Sequence, residues 1–522
     1  MKHLLAGGLQ VVLLVAGFYS SASAANKSCA GLAQLTLPNM KISVAEAVPE
    51  GDFTLPTSGP EAGLKFKDLP AFCRVAATLT PSRDSDIKVE VWMPTATWNG
   101  KFQAVGNGRW AGVISYPAMS EALRRGYATS STDTGHTGDT GSFAYEHPEK
   151  FVDFAYRSEH EMTVKAKAII DAFYGNGPRI SYWNGCSTGG RQGLVEAQRY
   201  PSDYNAIIAG APANNRTHVY FWAVSVAQTM HKDEASYIPP SKYAAIHEAV
   251  LDACDALDGL KDGLIGDPRL CHFDPKVLAC KGADGPSCLT ASQVEAARAM
   301  YAAAKNPRTG QEIYPGLEPG SELGWAIHGG PLPQSLSTAA DGFKYITFKN
   351  PDWDYHTLNL DSDVVFADKV DNGMTSAMDP NLKEFFGHGG KLLMYHGWSD
   401  PNIAPLNTIN YYESVVDKMG GADKTAAWIR LFMAPGMGHC GGGEGPNSFD
   451  VVNAIEQWVE NQKAPAQMIA SHSTDGRVFN FGGPEAQGRV DRTRPLCPYP
   501  QVARYKGTGS IDDAANFVCT SP

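Results

Sequence analysis

One stretch constrains the fold of this 522-residue chain more than any other. Ile180 to Trp183 is a short apolar run that starts just after Gly175-Asn176-Gly177-Pro178 and leads into Gly185-Cys186-Ser187-Thr188-Gly189-Gly190. From Arg191 to Tyr200 the spacing is helical. The pattern predicts a strand, an abrupt turn and a helix, with Ser187 at the apex. Such a turn crowds the backbone on both sides of the serine. Glycine at the flanking positions relieves the clashes and lets Oγ project, while the helix N-terminus below favours developing negative charge. In a chain with 53 glycines a Gly-x-Ser-x-Gly sequence alone says little, and the bland alternative is an ordinary glycine-rich turn. The strand leading in and the helix leading out identify a nucleophile elbow.

The surrounding chain has the matching texture. Strands are expected at Asp86–Pro94, Lys101–Val105, Tyr127–Ser131 and Ala206–Ala209, and a helix at Phe154–Tyr174. After Pro212 the chain fills with Asp-Gly turns, prolines and aromatics, and strand–helix alternation is lost. It returns at Gly390, with strands at Lys391–His396 and Trp428–Met433 and helices at Leu406–Met419 and Phe449–Asn461. The economical account is a mostly parallel α/β sheet covered on both faces and interrupted by one large insertion. The expected boundaries are 25–213 and 381–522 for the two parts of the core and 214–380 for the insertion.

A serine nucleophile needs a base, and the base an orienting acid. In an α/β-hydrolase they follow in the order Ser, Asp/Glu, His on loops after later strands. Asp400 follows the strand ending at His396, and His439 follows the next one, so the expected triad is Ser187, Asp400 and His439. His136, His396 and His472 lack this placement. Cys186 directly precedes the serine and Cys440 directly follows the histidine. A triad would bring their backbones together, so a Cys186–Cys440 bridge is one expectation, against a bridge elsewhere or a free buried Cys186. Gly106-Asn107-Gly108-Arg109 follows an early strand, where such folds place one oxyanion donor. Gly108, ahead of Gly106, is the expected donor there, against a plain glycine turn as the bland alternative, and the backbone N–H of Thr188 is the other.

The N-terminus reads as an export signal. Lys2 and His3 precede the apolar run Leu4–Phe18, and Ala22 and Ala24 occupy the −3 and −1 positions of a signal-peptidase site. Residues 1–24 are therefore expected to be removed, leaving a periplasmic or secreted protein with no membrane attachment. All ten cysteines lie beyond that cut, and an even count in an exported chain implies disulfides. The formal net charge of −11 supplies no basic field for nucleic acid. Within the insertion, Asp255, Asp258 and Asp262 alternate with glycines between Cys254 and Cys271. Clustered carboxylates can wrap a hard cation such as Ca²⁺; solvated Asp-Gly turns are the equal alternative.

Taken together, Gly185-Cys186-Ser187-Thr188-Gly189-Gly190-Arg191-Gln192, the His439-Cys440 pair and the Asp-rich loop resemble the tannase and feruloyl esterase family, which also includes hydrolases of mono(2-hydroxyethyl) terephthalate. The resemblance runs from Cys29 to Cys519. It implies an α/β-hydrolase core with a lid domain and the triad named above. It also implies a structural calcium on the side chains of Asp255, Asp258 and Asp262 and the carbonyls of Leu260 and Leu264, with no organic cofactor. The implied bridges are Cys29–Cys73, Cys186–Cys440, Cys254–Cys271, Cys280–Cys288 and Cys497–Cys519. Where the family's glycine-rich turn commonly continues with glycine, this chain has Arg109. The implied substrate is a small aromatic ester, free or attached to plant polysaccharide or polyphenol. A terephthalate monoester would ask for a cation in the pocket. The stretch Tyr314–Trp325, where the resemblance would place it, has none, which favours neutral phenolic acyl groups, with feruloyl ahead of galloyl esters. A silent calcium-dependent binding module and an acyltransferase are the competing classes.

Overall fold

A computed structural model describes residues 27–55, 63–110, 112–474 and 488–521. The expected cleavage site lies outside them. Nine strands form the central sheet: β1 (Met40–Val48), β2 (Phe72–Leu79), β3 (Ile87–Pro94), β4 (Lys101–Val105), β5 (Ala128–Thr132), β6 (Ile180–Cys186), β7 (Ala206–Gly210), β8 (Lys391–Gly397) and β9 (Ile429–Ala434). Their spatial order is β1-β2-β3-β5-β4-β6-β7-β8-β9. The first four in that order pair antiparallel, and from β5 to β9 every pairing is parallel. Parallel strands buried on both faces read as continuous apolar runs, and β7 shows why. Ile207 and Ala209 pack into one core, while Ala206 and Ile208 pack into another on the opposite face.

Helices cover the sheet. Those that position the site are α1 (Ser158–Tyr174), α2 (Thr188–Arg199), α3 (Arg216–Met230), α4 (Tyr243–Cys254), α5 (Pro405–Lys418) and α6 (Val451–Asn461). The helix expected from Phe154 is present and begins earlier, at Pro148, but one of its turns is not regular α. Asp153–Arg157 forms a π-turn, and the regular α1 begins only at Ser158. The cause is visible in Arg191 of α2, whose guanidinium is buried and donates to the carbonyls of Ala155 (2.8 Å) and Phe154 (3.2 Å). At its far end α1 stops at Gly175, whose φ of +79° suits a left-handed cap.

Between β7 and β8 the chain builds a separate apolar core from α3 onward, including Trp222, Tyr314, Trp325 and Phe343. Ile403 and Ala404, from the loop after β8, are buried in that same core. The inserted segment thus packs directly on the loop that carries Asp400. All five expected disulfides are present.

Candidate active site

β6 delivers Ser187 at φ +62° and ψ −122°, a conformation that costs an L-residue about 1–3 kcal/mol. The turn is pinned from both sides. Ser187 N–H donates to the Gly210 carbonyl at 3.0 Å, and the Ser187 carbonyl accepts from Arg191 and Ala213, each at 3.0 Å. A Cβ at Gly185 would lie 2.4 Å from the Gly189 carbonyl oxygen, so glycine there is a packing requirement of the elbow.

Asp400 stands on the loop after β8 with its carboxylate fully buried. Oδ1 accepts the backbone N–H groups of Asn402 (2.7 Å) and Ile403 (3.1 Å). Oδ2 accepts from His439 Nδ1 at 2.7 Å and from His396 Nε2 at 3.0 Å. Burial alone would raise the carboxyl's pKa, but the two imidazoles hold it well below the usual carboxylate range. An ionised Asp400 fixes the proton of His439 on Nδ1 and leaves Nε2 as the basic nitrogen. His439 and Ser187 line one cavity of about 90 Å³. Among the described residues no hydrogen bond joins them. The Cys186–Cys440 bridge, with Cα atoms 6.0 Å apart, ties the two loops together.

His396, passed over on sequence grounds, is the residue most clearly missed. It is buried at the end of β8, one helical turn in sequence before Asp400, with Nδ1 against Thr408 Oγ1 at 2.7 Å and Nε2 also within 3.0 Å of the Ile403 carbonyl. The Nε2–H therefore faces two acceptors, and Nδ1 accepts the Thr408 hydroxyl. The signal was its spacing of four from the acid.

The turn after β4 packs on the elbow: a Cβ at Gly106 would come within 2.5 Å of Gly189 Cα. Gln192 of α2 accepts the Asn107 N–H (3.0 Å) and donates to its side-chain oxygen (3.1 Å), locking turn to helix. Thr188 Oγ1 donates to the Arg109 carbonyl at 2.9 Å. Thr188 and Arg109 both line the cavity with Ser187; Gly108 sits one residue back and is not among the lining residues. The Tyr314–Trp325 stretch is likewise absent from that lining, to which the inserted segment contributes α3 residues from Arg216 to Ala223 and residues between Ile327 and Ala339. The expectation of a pocket without a cation therefore fails: Arg109 and Arg216 both line it.

The Asp-rich loop follows α4 and is closed by the Cys254–Cys271 bridge. Asp255 accepts the N–H groups of Asp262 (3.1 Å) and Gly263 (2.9 Å), and Asp258 accepts that of Leu260 (3.0 Å). Asp262 accepts the Leu264 N–H at 3.2 Å and pairs with Arg494. Only Asp262 of the three carboxylates has a direct ion pair among the described residues, and burial together with mutual repulsion raises the pKa of Asp258 and Asp262. Surplus negative charge in an all-oxygen donor set suits Ca²⁺ chemically. The three carboxylates are not gathered to within 4.8 Å of one another, so an ion would have to draw them in.

Residues 73–520 match the family model described as tannase and feruloyl esterase. The chain belongs to that family. An uncharacterized esterase of Xanthomonas campestris pv. campestris is 37% identical, covering 98% of this chain and 95% of its own. A probable feruloyl esterase B-2 of Neosartorya fischeri is 33% identical, covering 98% and 99%. Among solved structures, feruloyl esterase B from Aspergillus oryzae superposes with a TM-score of 0.86 at 31% identity, covering 94% of this chain and 99% of that one. The tannin acyl hydrolase of Aspergillus niger shares the fold, with a TM-score of 0.75 at 21% identity. This member of the tannase and feruloyl esterase family is accordingly a carboxylic ester hydrolase with an α/β-hydrolase-type fold.

Proposed function

We propose that the enzyme is a serine carboxylesterase of aromatic acid esters, feruloyl and related hydroxycinnamoyl esters first among them, working through an acyl-enzyme on Ser187. The observation that carries this reading is the Asp400–His439 pair at 2.7 Å, set in one cavity with a serine on a strained elbow. His439 Nε2 takes the Oγ proton as Ser187 attacks the ester carbonyl, and Asp400 steadies the imidazolium that forms. The Thr188 N–H and an N–H of the Gly108–Arg109 turn face the oxyanion, each worth about 3 kcal/mol in such sites. His439 then protonates the departing alcohol, and water, deprotonated by the same imidazole, releases the acid. The relatives named as feruloyl esterases favour the hydroxycinnamoyl acyl group. Galloyl esters are the nearest alternative. Arg109 and Arg216 in the cavity keep carboxylate-bearing esters, terephthalate monoesters included, within the reading.

The Asp255, Asp258 and Asp262 carboxylates with the Leu260 and Leu264 carbonyls would hold a structural Ca²⁺, whose charge would offset the surplus of the loop. Five disulfides suit an oxidising compartment, in keeping with export by the residue 1–24 signal. No helix of the described residues is long and apolar enough to cross a membrane. The test of the acyl specificity is kcat/KM on methyl ferulate, methyl gallate and mono(2-hydroxyethyl) terephthalate, with Ser187→Ala as blank. Preference for the ferulate is expected. Preference for either other ester renames the acyl specificity, and turnover retained by Ser187→Ala removes the mechanism.

A further inference from the structure

The cavity beside Ser187 carries a charge that hydrolysis of a neutral phenolic ester does not require. Its described lining includes two arginines, Arg109 and Arg216, and no acidic residue. The two are not equally free. Arg216 is buried under the Trp110 ring, 4.1 Å from its centroid, and its Nη atoms are committed to Thr188 Oγ1 (3.1 Å) and to the Arg109 carbonyl (3.1 Å). Arg109 has a side chain 54% exposed, and its ionic partner Asp139 stands 3.6 Å away and is itself 45% exposed. At that distance the pair has no direct hydrogen bond and holds the guanidinium weakly.

The backbone makes Arg109 more unusual still. Its φ is +50°, in the left-handed region that favours glycine. Two hydrogen bonds onto its carbonyl, from Thr188 Oγ1 and Arg216, hold the residue there. Strain kept next to a nucleophile, at a residue of the cavity lining that bears a long, half-exposed cationic side chain, calls for a use of that side chain.

We propose that Arg109 determines specificity by recognising a carboxylate on the substrate, so that the preferred esters carry an acid group close to the scissile bond. The proposal rests on the reading of Ser187 as the nucleophile and narrows its substrate class. A guanidinium offers a carboxylate two parallel donors in one plane, which a neutral ring substituent cannot use. Arg216, whose Nε has no hydrogen-bond partner among the described residues, adds positive potential from the cavity wall. Asp139 competes for Arg109 when no substrate is bound and yields it to a better-placed anion.

Two matched pairs of esters test this and locate the acid. Caffeoyl quinate and its carboxamide place the charge on the alcohol. Mono(2-hydroxyethyl) terephthalate and its carboxamide place it on the acyl ring. Within each pair the ratio of kcat/KM, acid over amide, cancels changes at the nucleophile. For at least one pair the ratio should be about tenfold at low salt, as one charge-assisted hydrogen bond supplies, and should shrink with added salt. It should fall towards one in Arg109→Gln and rise in Asp139→Asn. Arg109→Gly, which also relieves the backbone strain, should behave as Arg109→Gln does and guards against a folding artefact. A ratio near one for both pairs, or one that survives both Arg109 variants, overturns the proposal and leaves the esterase reading intact. Failure to turn over any of the four esters, or methyl ferulate, overturns both.

Discussion

Replacing His396 by leucine removes one of the four hydrogen bonds that hold the Asp400 carboxylate, the 3.0 Å bond from Nε2 to Oδ2. Oδ1 keeps its two backbone donors, so the loop should retain its course. Oδ2 is left with His439 alone and is free to rotate about that contact. A hydrogen bond to a charged group is worth about 1.5–3 kcal/mol. If the loss falls wholly on the transition state, in which His439 is positively charged, kcat should drop about 10- to 100-fold. Complete loss of the acid's function in a related triad costs about 10⁴, which sets the ceiling. KM should hardly move, because His396 lies below the acid loop and is not among the cavity-lining residues. The leucine also leaves the Thr408 hydroxyl and the Ile403 carbonyl each short of a partner, so the melting temperature should fall as well. His396→Gln, which returns an N–H donor, should recover most of kcat. The assay is steady-state hydrolysis of methyl ferulate, with the folded fraction set by active-site titration. A His396→Leu enzyme with a lower melting temperature but unchanged kcat per folded molecule would refute the positioning role.

The other predictions are independent of that residue. His247 bridges Glu322 (2.7 Å) and Glu444 (2.6 Å), tying α4 to the loop after His439; these bonds outweigh burial and raise its pKa to about 9. Because the folded value is raised, its contribution is complete below about pH 6.5 and disappears as pH rises through 9. Melting temperature measured across pH 7 to 10 should therefore decline, and His247→Phe should flatten the decline. Chelation by EGTA should lower the melting temperature and Ca²⁺ should restore it, with Asp258→Asn insensitive to both; equal melting with and without chelator would remove calcium from the account. Cys186→Ala/Cys440→Ala opens a cross-link spanning 254 residues, which the chain-entropy model values at about 5 kcal/mol. Both melting temperature and kcat should fall, read by calorimetry and by turnover at 25 °C. Gln192→Leu should free the Asn107 turn, proposed to supply an oxyanion donor, and lower kcat with little change in KM, since Gln192 lies outside the cavity.

The parts of the site that were legible in the sequence are those governed by local rules. A turn that forces positive φ at Ser187 demands glycine at 185, and buried parallel strands demand unbroken apolar runs such as Leu392–Tyr395. The loops that follow those strands then placed Asp400 and His439. The strands β1 and β2 escaped because β1 is an edge strand with alternating exposure, and its identity depends on pairing with β2. The π-turn at Asp153 escaped for a related reason: its cause, Arg191, is distant in sequence and reaches it only in three dimensions. The cavity wall was misjudged because an insertion without strand–helix alternation gives no register from which to say which of its turns faces the serine. Arg109 was noticed as a departure from glycine, yet its place over the cavity follows from bonds made by Thr188 and Arg216, which no local pattern encodes.

The central claim is that Ser187 carries the acyl group. Rapid mixing of the enzyme with 4-nitrophenyl ferulate, followed by acid quench and peptide mass mapping, tests it most directly. The account predicts a burst of nitrophenol equal to the enzyme concentration and one feruloyl group on the peptide that contains Ser187. A feruloyl group on another residue, or a full burst from Ser187→Ala, would contradict it.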